Sequence, residues 1–193
     1  MSETQFGSSR EDLSKRSTVY AGDLFAGRTV VVTGAGGGLG LAIATLFARL
    51  GANLAINGRN EEKLASAKEY LESFGGRVFA VPMTIRDPEQ VEDFVAKANQ
   101  EFGSIDVLVN NAGGQFPQAA LDFSPKGWTA VIDTNLNGTW WMMQSTTRHW
   151  VENKQSGSIV NIVADIWRGM PGIAHTCAAR AGVVYLSKSV AVE

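Results

Sequence analysis

Short blocks of β-branched and apolar residues alternate along this chain with longer segments whose apolar positions recur every three or four residues. The first block, Thr29-Val30-Val31-Val32, reads as a buried strand. Ile43, Leu46, Phe47 and Leu50 then follow at helical spacing. Asn53 to Asn57 is a second strand, and 61–74 a helix with Leu64, Ala67, Leu71 and Phe74 on one face. A third strand spans 77–81. Asp87-Pro88 has the signature of a helix start, Val91, Phe94, Val95, Ala98 and Phe102 form the stripe, and Gly103 the stop. A fourth strand covers 105–109, and a long helical segment 126–152, with Gly138 as its expected bend. Strand five covers 158–163 and a last helix 175–192. Regular β–α alternation of this kind implies an α/β fold, a Rossmann-like, doubly wound parallel sheet flanked by helices.

Composition narrows the classes. The 193 residues suit one domain, with 45% hydrophobic and 19% charged residues. Residues 1–19, rich in Ser, Glu, Arg and Thr, read as a flexible leader, and 20–193 as the folded domain. A net charge of −2 with dispersed Lys and Arg gives no reason to expect nucleic acid or an anionic membrane as partner. One cysteine, Cys177, excludes an internal disulfide, and two distant histidines, His149 and His175, make no metal motif. No apolar run approaches a membrane span of about 20 residues. The expected setting is cytoplasmic.

The stretch Thr33-Gly34-Ala35-Gly36-Gly37-Gly38-Leu39-Gly40 joins the first strand to the first long helix. Glycines there let a pyrophosphate approach bare N–H groups, and the helix N-terminus adds unpaired donors and partial positive charge. Strand, glycine turn and helix together predict a dinucleotide or nucleotide site. Gly34, Gly36, Gly38, Leu39 and Gly40 are its expected contacts. Strand two ends in Gly58-Arg59-Asn60 with no acidic residue for a ribose hydroxyl pair. Arg59 instead offers a fork for a 2′-phosphate, which points to NADP over NAD. Strand four ends in Asn110-Asn111-Ala112-Gly113-Gly114, at the sheet edge where such folds bind ligands. Asn110, Ala112 and Gly113 complete the expected cofactor contacts.

These motifs, in this order, resemble the short-chain dehydrogenases/reductases. Thr33 to Gly40 is similar to that family's cofactor loop and Asn110-Asn111-Ala112-Gly113 to its second signature. Asn135 matches the asparagine of its central helix, and Ser158-Ile159-Val160-Asn161-Ile162 its fifth strand. Within the family, Asn110 to Phe116, Lys126-Gly127-Trp128, Asn135 to Thr139 and Ala178 to Gly182 resemble the peroxisomal-type trans-2-enoyl-CoA reductases. The resemblance implies an NADP-dependent oxidoreductase acting on a small molecule, an acyl-CoA thioester being the implied class. It also implies a homodimer or homotetramer, for which Trp140, Trp141, Met142 and Met143 would supply apolar surface.

The family's usual serine and Tyr-x-x-x-Lys pair are absent. Thr176 stands at the tyrosine position, Arg180 at the lysine position, and Ala164 (or Val163) at the serine position. The expected catalytic set is therefore Asn135, Thr176 and Arg180, with Arg180 also on the nicotinamide ribose. An aliphatic hydroxyl is a poor proton donor but can donate one hydrogen bond to an oxyanion. That suits enoyl thioester reduction, in which the enzyme stabilises an enolate oxygen, better than alcohol–ketone interconversion. Two other readings stay open: a dinucleotide-binding protein or fragment with impaired catalysis, and a carbonyl/alcohol oxidoreductase. The family normally continues into two further strands, so the chain reads as incomplete at its C-terminus. Tyr185 is read as structural, and His175 as a packing or capping residue, with a proton source beside the site as its alternative.

Overall fold

The computed structural model describes residues 7–193. Five parallel strands form one sheet: β1 (Thr29–Thr33), β2 (Asn53–Gly58), β3 (Val78–Pro82), β4 (Val107–Asn110) and β5 (Ser158–Asn161). Their order is β3-β2-β1-β4-β5. β1 lies in the middle and every one of its residues is buried, which is why it reads as an unbroken β-branched run. Val31 pairs with Ala55 on one side and Leu108 on the other. The chain works outward from β1 to β3, then returns to place β4 on the opposite flank. The carboxyl ends of β1 and β4 therefore diverge at a topological switch point, where such sheets open a crevice.

Alternate residues of β1 serve opposite layers. Val30 and Val32 pack under α2 (Gly38–Arg49) and α3 (Glu61–Glu72), with Leu41, Ala44, Leu64, Ala67 and Leu71. Val31 faces the other layer, where α4 (Pro88–Phe102) contributes Val91, Phe94, Val95 and Ala98. Phe94 is fully buried, so Phe94→Ala would cost about 3–5 kcal/mol. Asp87 accepts from the Glu89 and Gln90 N–H groups at the start of α4, and Gly103, at φ 83°, closes it. The expected start and stop signals thus lie where the helix begins and ends.

The long helical segment is broken in three. α5 (Pro125–Ile132) leads into a π turn (Asp133–Asn137), and α6 (Gly138–Glu152) follows. The irregularity thus precedes the expected bend at Gly138. Gly138 is small for another reason: a Cβ there would lie 2.7 Å from the Ile85 side chain. Met142 and Met143 are buried in the chain's own core, whereas Trp140 and Trp141 are half-buried. A last helix, α7 (Ala174–Val190), packs against α5 and the π turn. β5 forms the sheet edge, with Val160 46% exposed.

The leader is also more ordered than its composition suggests. Residues 1–6 lie outside the described residues, but α1 (Arg10–Lys15) is a helix started by a capping box between Ser9 and Asp12. Those hydrogen bonds hold the Asp12 carboxyl below its usual value. Arg49 donates to the carbonyls of Leu13 (2.8 Å) and Arg16 (2.5 Å), and the Tyr70 hydroxyl to that of Arg10 (2.9 Å). Polar composition hid this because the docking uses main-chain carbonyls, which no sequence pattern records.

Candidate functional site

A groove of about 440 Å³ opens at the carboxyl ends of β1, β2 and β4. One wall is the β1–α2 turn, with Gly34, Gly36, Gly37, Leu39 and Gly40. The first residue of that turn, Gly34, has φ 69°, a conformation that glycine takes without strain. Gly40 is buried because the chain folds over it: a Cβ there would overlap the Gly34 carbonyl oxygen and touch Asn111 Nδ2. No side chain caps α2, so its first N–H groups are left for whatever enters the groove. Gly38 begins α2 outside the groove lining, while its neighbour Gly37 lines it.

The opposite wall comes from β4. Thr33 Oγ1 accepts from the N–H groups of Asn111 (3.0 Å) and Ala112 (2.9 Å), and Asn111 Nδ2 donates to the Thr33 carbonyl (2.9 Å). These bonds tie the two strand ends together. Asn110 departs from expectation. Its side chain donates to Asn161 Oδ1 at 2.9 Å, and Asn161 in turn donates to Ser187 Oγ. Asn110 is 2% exposed and does not line the groove; Asn111, one residue on, does. Strand alternation sends neighbouring side chains to opposite faces, so the motif's two asparagines divide the roles.

The far end of the groove is cationic. Arg59, Lys63 and Arg86 line it, and no Asp or Glu does. Arg86 is anchored by its Nε on Thr134 Oγ1 at 2.5 Å. Arg59 and Arg86 also border an adjoining hollow of about 190 Å³, with Gln115, Phe116 and Thr134. Asn57 lines the groove as well. Its Oδ1 accepts from Gly34 N–H at 3.3 Å, while Nδ2 is buried without a partner. A buried orphan donor beside bare glycine main chain and three cations fits a dinucleotide's oxygens. Sequence reasoning missed Asn57, Lys63, Arg86 and Asn111. Their one common signal is position, at strand ends or one turn beyond, and that becomes informative only once the strand order is known.

Across Gly113 the groove meets a second hollow, of about 300 Å³, lined by Leu39, Asn135, Val163, Ala164, Thr176 and Arg180 among others. α7 carries Thr176 and Arg180 one turn apart, and both are buried. Arg180 Nη1 donates to the Ile162 carbonyl at 2.9 Å, and its other terminal nitrogen lies against Gly113, leaving no room for a Cβ. Burial lowers the Arg180 pKa from its ordinary value. No carboxylate pairs with it among the described residues. Asn135 lines the hollow but commits its amide to the loop. Nδ2 donates to the carbonyls of Gly114 (2.7 Å) and Val131 (2.9 Å), and Oδ1 accepts from Gly114 N–H (3.3 Å). The π turn that presents Asn135 thus holds the Gly113-Gly114 segment. Ala164 and Val163 both face the hollow, so no hydroxyl stands at the serine position whichever is aligned with it. Tyr185 is 69% exposed under the Lys188 ammonium, away from these hollows. Among the described residues no His, Cys, Asp and Glu group could hold a metal ion, and no helix is long and apolar enough to cross a membrane.

Known proteins match this arrangement. A family model described as short chain dehydrogenase matches residues 28–193. Over 167 residues the chain is 39% identical to a probable 2,4-dienoyl-CoA reductase [(2E)-enoyl-CoA-producing] of Bacillus subtilis (strain 168), covering 86% of this chain and 66% of that protein. It is 37% identical over 174 residues to gluconate 5-dehydrogenase of Gluconobacter oxydans (strain 621H), covering 89% and 68%. A solved structure of a citronellol catabolism dehydrogenase from Pseudomonas aeruginosa PAO1 superposes with a TM-score of 0.85 at 38% identity, over 91% of this chain and 72% of that one. The chain spans less than two thirds of the first curated relatives it matches, between 55% and 66% of their length.

Proposed function

The chain belongs to the short-chain dehydrogenase family, and from that premise we propose an NADP-dependent oxidoreductase that reduces a conjugated double bond in an enoyl- or dienoyl-CoA thioester. One observation carries the reading. A groove with three cations and no carboxylate leads into a hollow whose polar side chains are Asn111, Gln115, Asn135, Thr176 and Arg180, with neither tyrosine nor lysine. Arg59 is the residue assigned to the 2′-phosphate, consistent with a fork that favours NADP over NAD. Arg86, Gln115 and Thr134 in the adjoining hollow suit the anionic handle of a CoA ester.

When bound, the dinucleotide supplies a hydride and the substrate gains a proton from solvent. The chain's own residues bind and orient. Arg180 is a fixed cation beside Gly113, suited to the ribose hydroxyls, and a guanidinium does not release protons at ordinary pH. Thr176 Oγ donates one hydrogen bond to a thioester oxygen as negative charge builds there. Asn135 holds the Gly113-Gly114 turn that separates the two hollows. Alcohol oxidation needs a group that accepts the hydroxyl proton, and neither Thr176 nor Arg180 is a base of that kind. This is why the enoyl reading is preferred over a carbonyl/alcohol oxidoreductase, despite relatives such as gluconate 5-dehydrogenase.

The test is direct. Mixed with NADPH and trans-2-enoyl-CoA or 2,4-dienoyl-CoA esters, the protein consumes NADPH absorbance and forms product with one carbon–carbon double bond fewer. Dinucleotide binding with no turnover on these esters, or on a panel of carbonyl substrates, would replace this reading with that of a binding protein. The substituted serine and tyrosine positions already speak for that second possibility.

A further inference from the structure

His175 has no part in the chemistry above, yet its side chain is enclosed beside the site. It is fully buried and sits on α7 immediately before Thr176. Its ring lies among Phe116 (centroids 4.8 Å apart, near perpendicular), Phe123 (4.3 Å) and Trp128 (6.5 Å). Phe116 and Phe123 come from the segment that follows the β4 motif, and Trp128 from α5, so the box is built by elements bordering the hollow. Phe116 can enter because residue 127 is glycine; a Cβ there would lie 2.9 Å from its ring.

Helix α7 starts without an ordinary cap. Ile173 precedes it and offers no side-chain acceptor. Thr176 N–H, one of the first-turn donors, goes instead to His175 Nδ1 at 2.8 Å, and Thr176 Oγ1 lies 3.4 Å from that same nitrogen. A neutral imidazole has one donor and one acceptor nitrogen, so an accepting Nδ1 assigns the proton to Nε2. Nε2 is buried with no partner. A phenyl ring would fill the box without that orphan, and an Asp or Asn would offer an acceptor without a ring. Only an imidazole does both, and the unsatisfied Nε2 is tolerated for the sake of Nδ1.

We propose that His175 is a positioning residue for Thr176. It fixes the first turn of α7 through Nδ1, and its ring ties that turn to the 116–128 segment, so that the Thr176 hydroxyl is held in the hollow. The proposal rests on the reading of Thr176 as the oxyanion donor only for its kinetic consequence; its structural content stands apart.

Two variants and one spectroscopic measurement test it. His175→Phe keeps the ring and removes the acceptor, while His175→Asn keeps an acceptor and removes the ring. In an enoyl-CoA reductase assay, His175→Phe lowers kcat about tenfold with KM for NADPH unchanged, the loss expected for one misdirected hydrogen bond. His175→Asn recovers at least a third of the wild-type kcat even where its thermal midpoint is lower. Wild-type kcat in His175→Phe, or losses in both variants that simply track their melting temperatures, overturns the proposal. If the wild-type protein turns over no ester, the function proposed above fails and NMR decides this one. The wild type shows a scalar coupling between the Thr176 amide nitrogen and His175 Nδ1, and His175→Phe changes the Thr176 χ1 coupling constants. Absence of the first, or an unchanged χ1, refutes the positioning role whatever the substrate is.

Discussion

Around the β1–α2 turn the site is made of main chain, whereas across Gly113 it depends on three side chains. At that turn, a Cβ is excluded at Gly40 and the start of α2 has no side-chain cap. In the hollow under α7, Thr176, Arg180 and Asn135 carry the polar chemistry, and each leans on a different neighbour: His175, Ile162 and Gly114. The contrast teaches how such a site can change. Side chains in the hollow can be exchanged while the sheet and the turn keep their shape. Gly40 has no such freedom, because a Cβ there would run into the Gly34 carbonyl.

Three changes probe this contrast, beginning with the largest. Gly40→Ala puts a Cβ into the Gly34 carbonyl and the Asn111 amide, and weakens NADPH binding about a hundredfold, the equivalent of the upper end of the 1–3 kcal/mol that overpacking costs. Fluorescence titration measures it; affinity within threefold of wild type would show that the turn is not built as described.

Arg180→Met comes next. It removes the cation beside Gly113 and leaves the Ile162 carbonyl without its donor. A charge-assisted hydrogen bond of about 1.5–3 kcal/mol predicts a loss of roughly ten- to a hundredfold in kcat/KM, with Arg180→Lys intermediate. Stopped assays with varied ester and NADPH give the number. Burial lowers this group's pKa, so the folded chain holds the proton less tightly than the unfolded chain. Its cost to folding therefore persists while the guanidinium is charged, and eases only as pH rises through that lowered value. Since arginine stays charged at ordinary pH, kcat is level between about pH 6 and 9 as far as Arg180 is concerned. A step in that interval that vanishes in Arg180→Met would contradict a fixed cation.

The smallest effect belongs to Arg59→Ala. It lowers NADP affinity about tenfold and NAD affinity less than twofold, if the guanidinium meets the 2′-phosphate. Equal losses would remove that assignment. Lys63 and Arg86 share the cationic end of the groove, so the NADP effect is not larger.

The β–α order, the glycine turn and the start and stop of α4 were legible because local rules govern them: periodicity, capping and the steric freedom of glycine. Reading the site residue by residue went less far. Asn110 and Asn111 are equivalent in a motif, yet one faces the groove and the other a buried relay to Ser187. Lys63 and Arg86 looked like ordinary surface charges, because nothing local says that β2 and β3 lie beside the phosphate turn. The π turn at Asp133–Asn137 was invisible to helical periodicity, and the Asn135 amide it presents is held by Gly114, 21 residues away in sequence.

By itself the sequence determined the layered α/β plan and the glycine-lined turn, because these follow from residue type and near-neighbour spacing. The tertiary structure alone decided which strand ends meet, that three cations share one end of the groove, and that aromatic rings enclose His175 beside Thr176. Those facts depend on contacts between distant segments: the strand order β3-β2-β1-β4-β5 brings residues 34, 57, 86 and 111 to one groove. The packing of α7 against α5 and the π turn brings residues 116, 123 and 128 around His175.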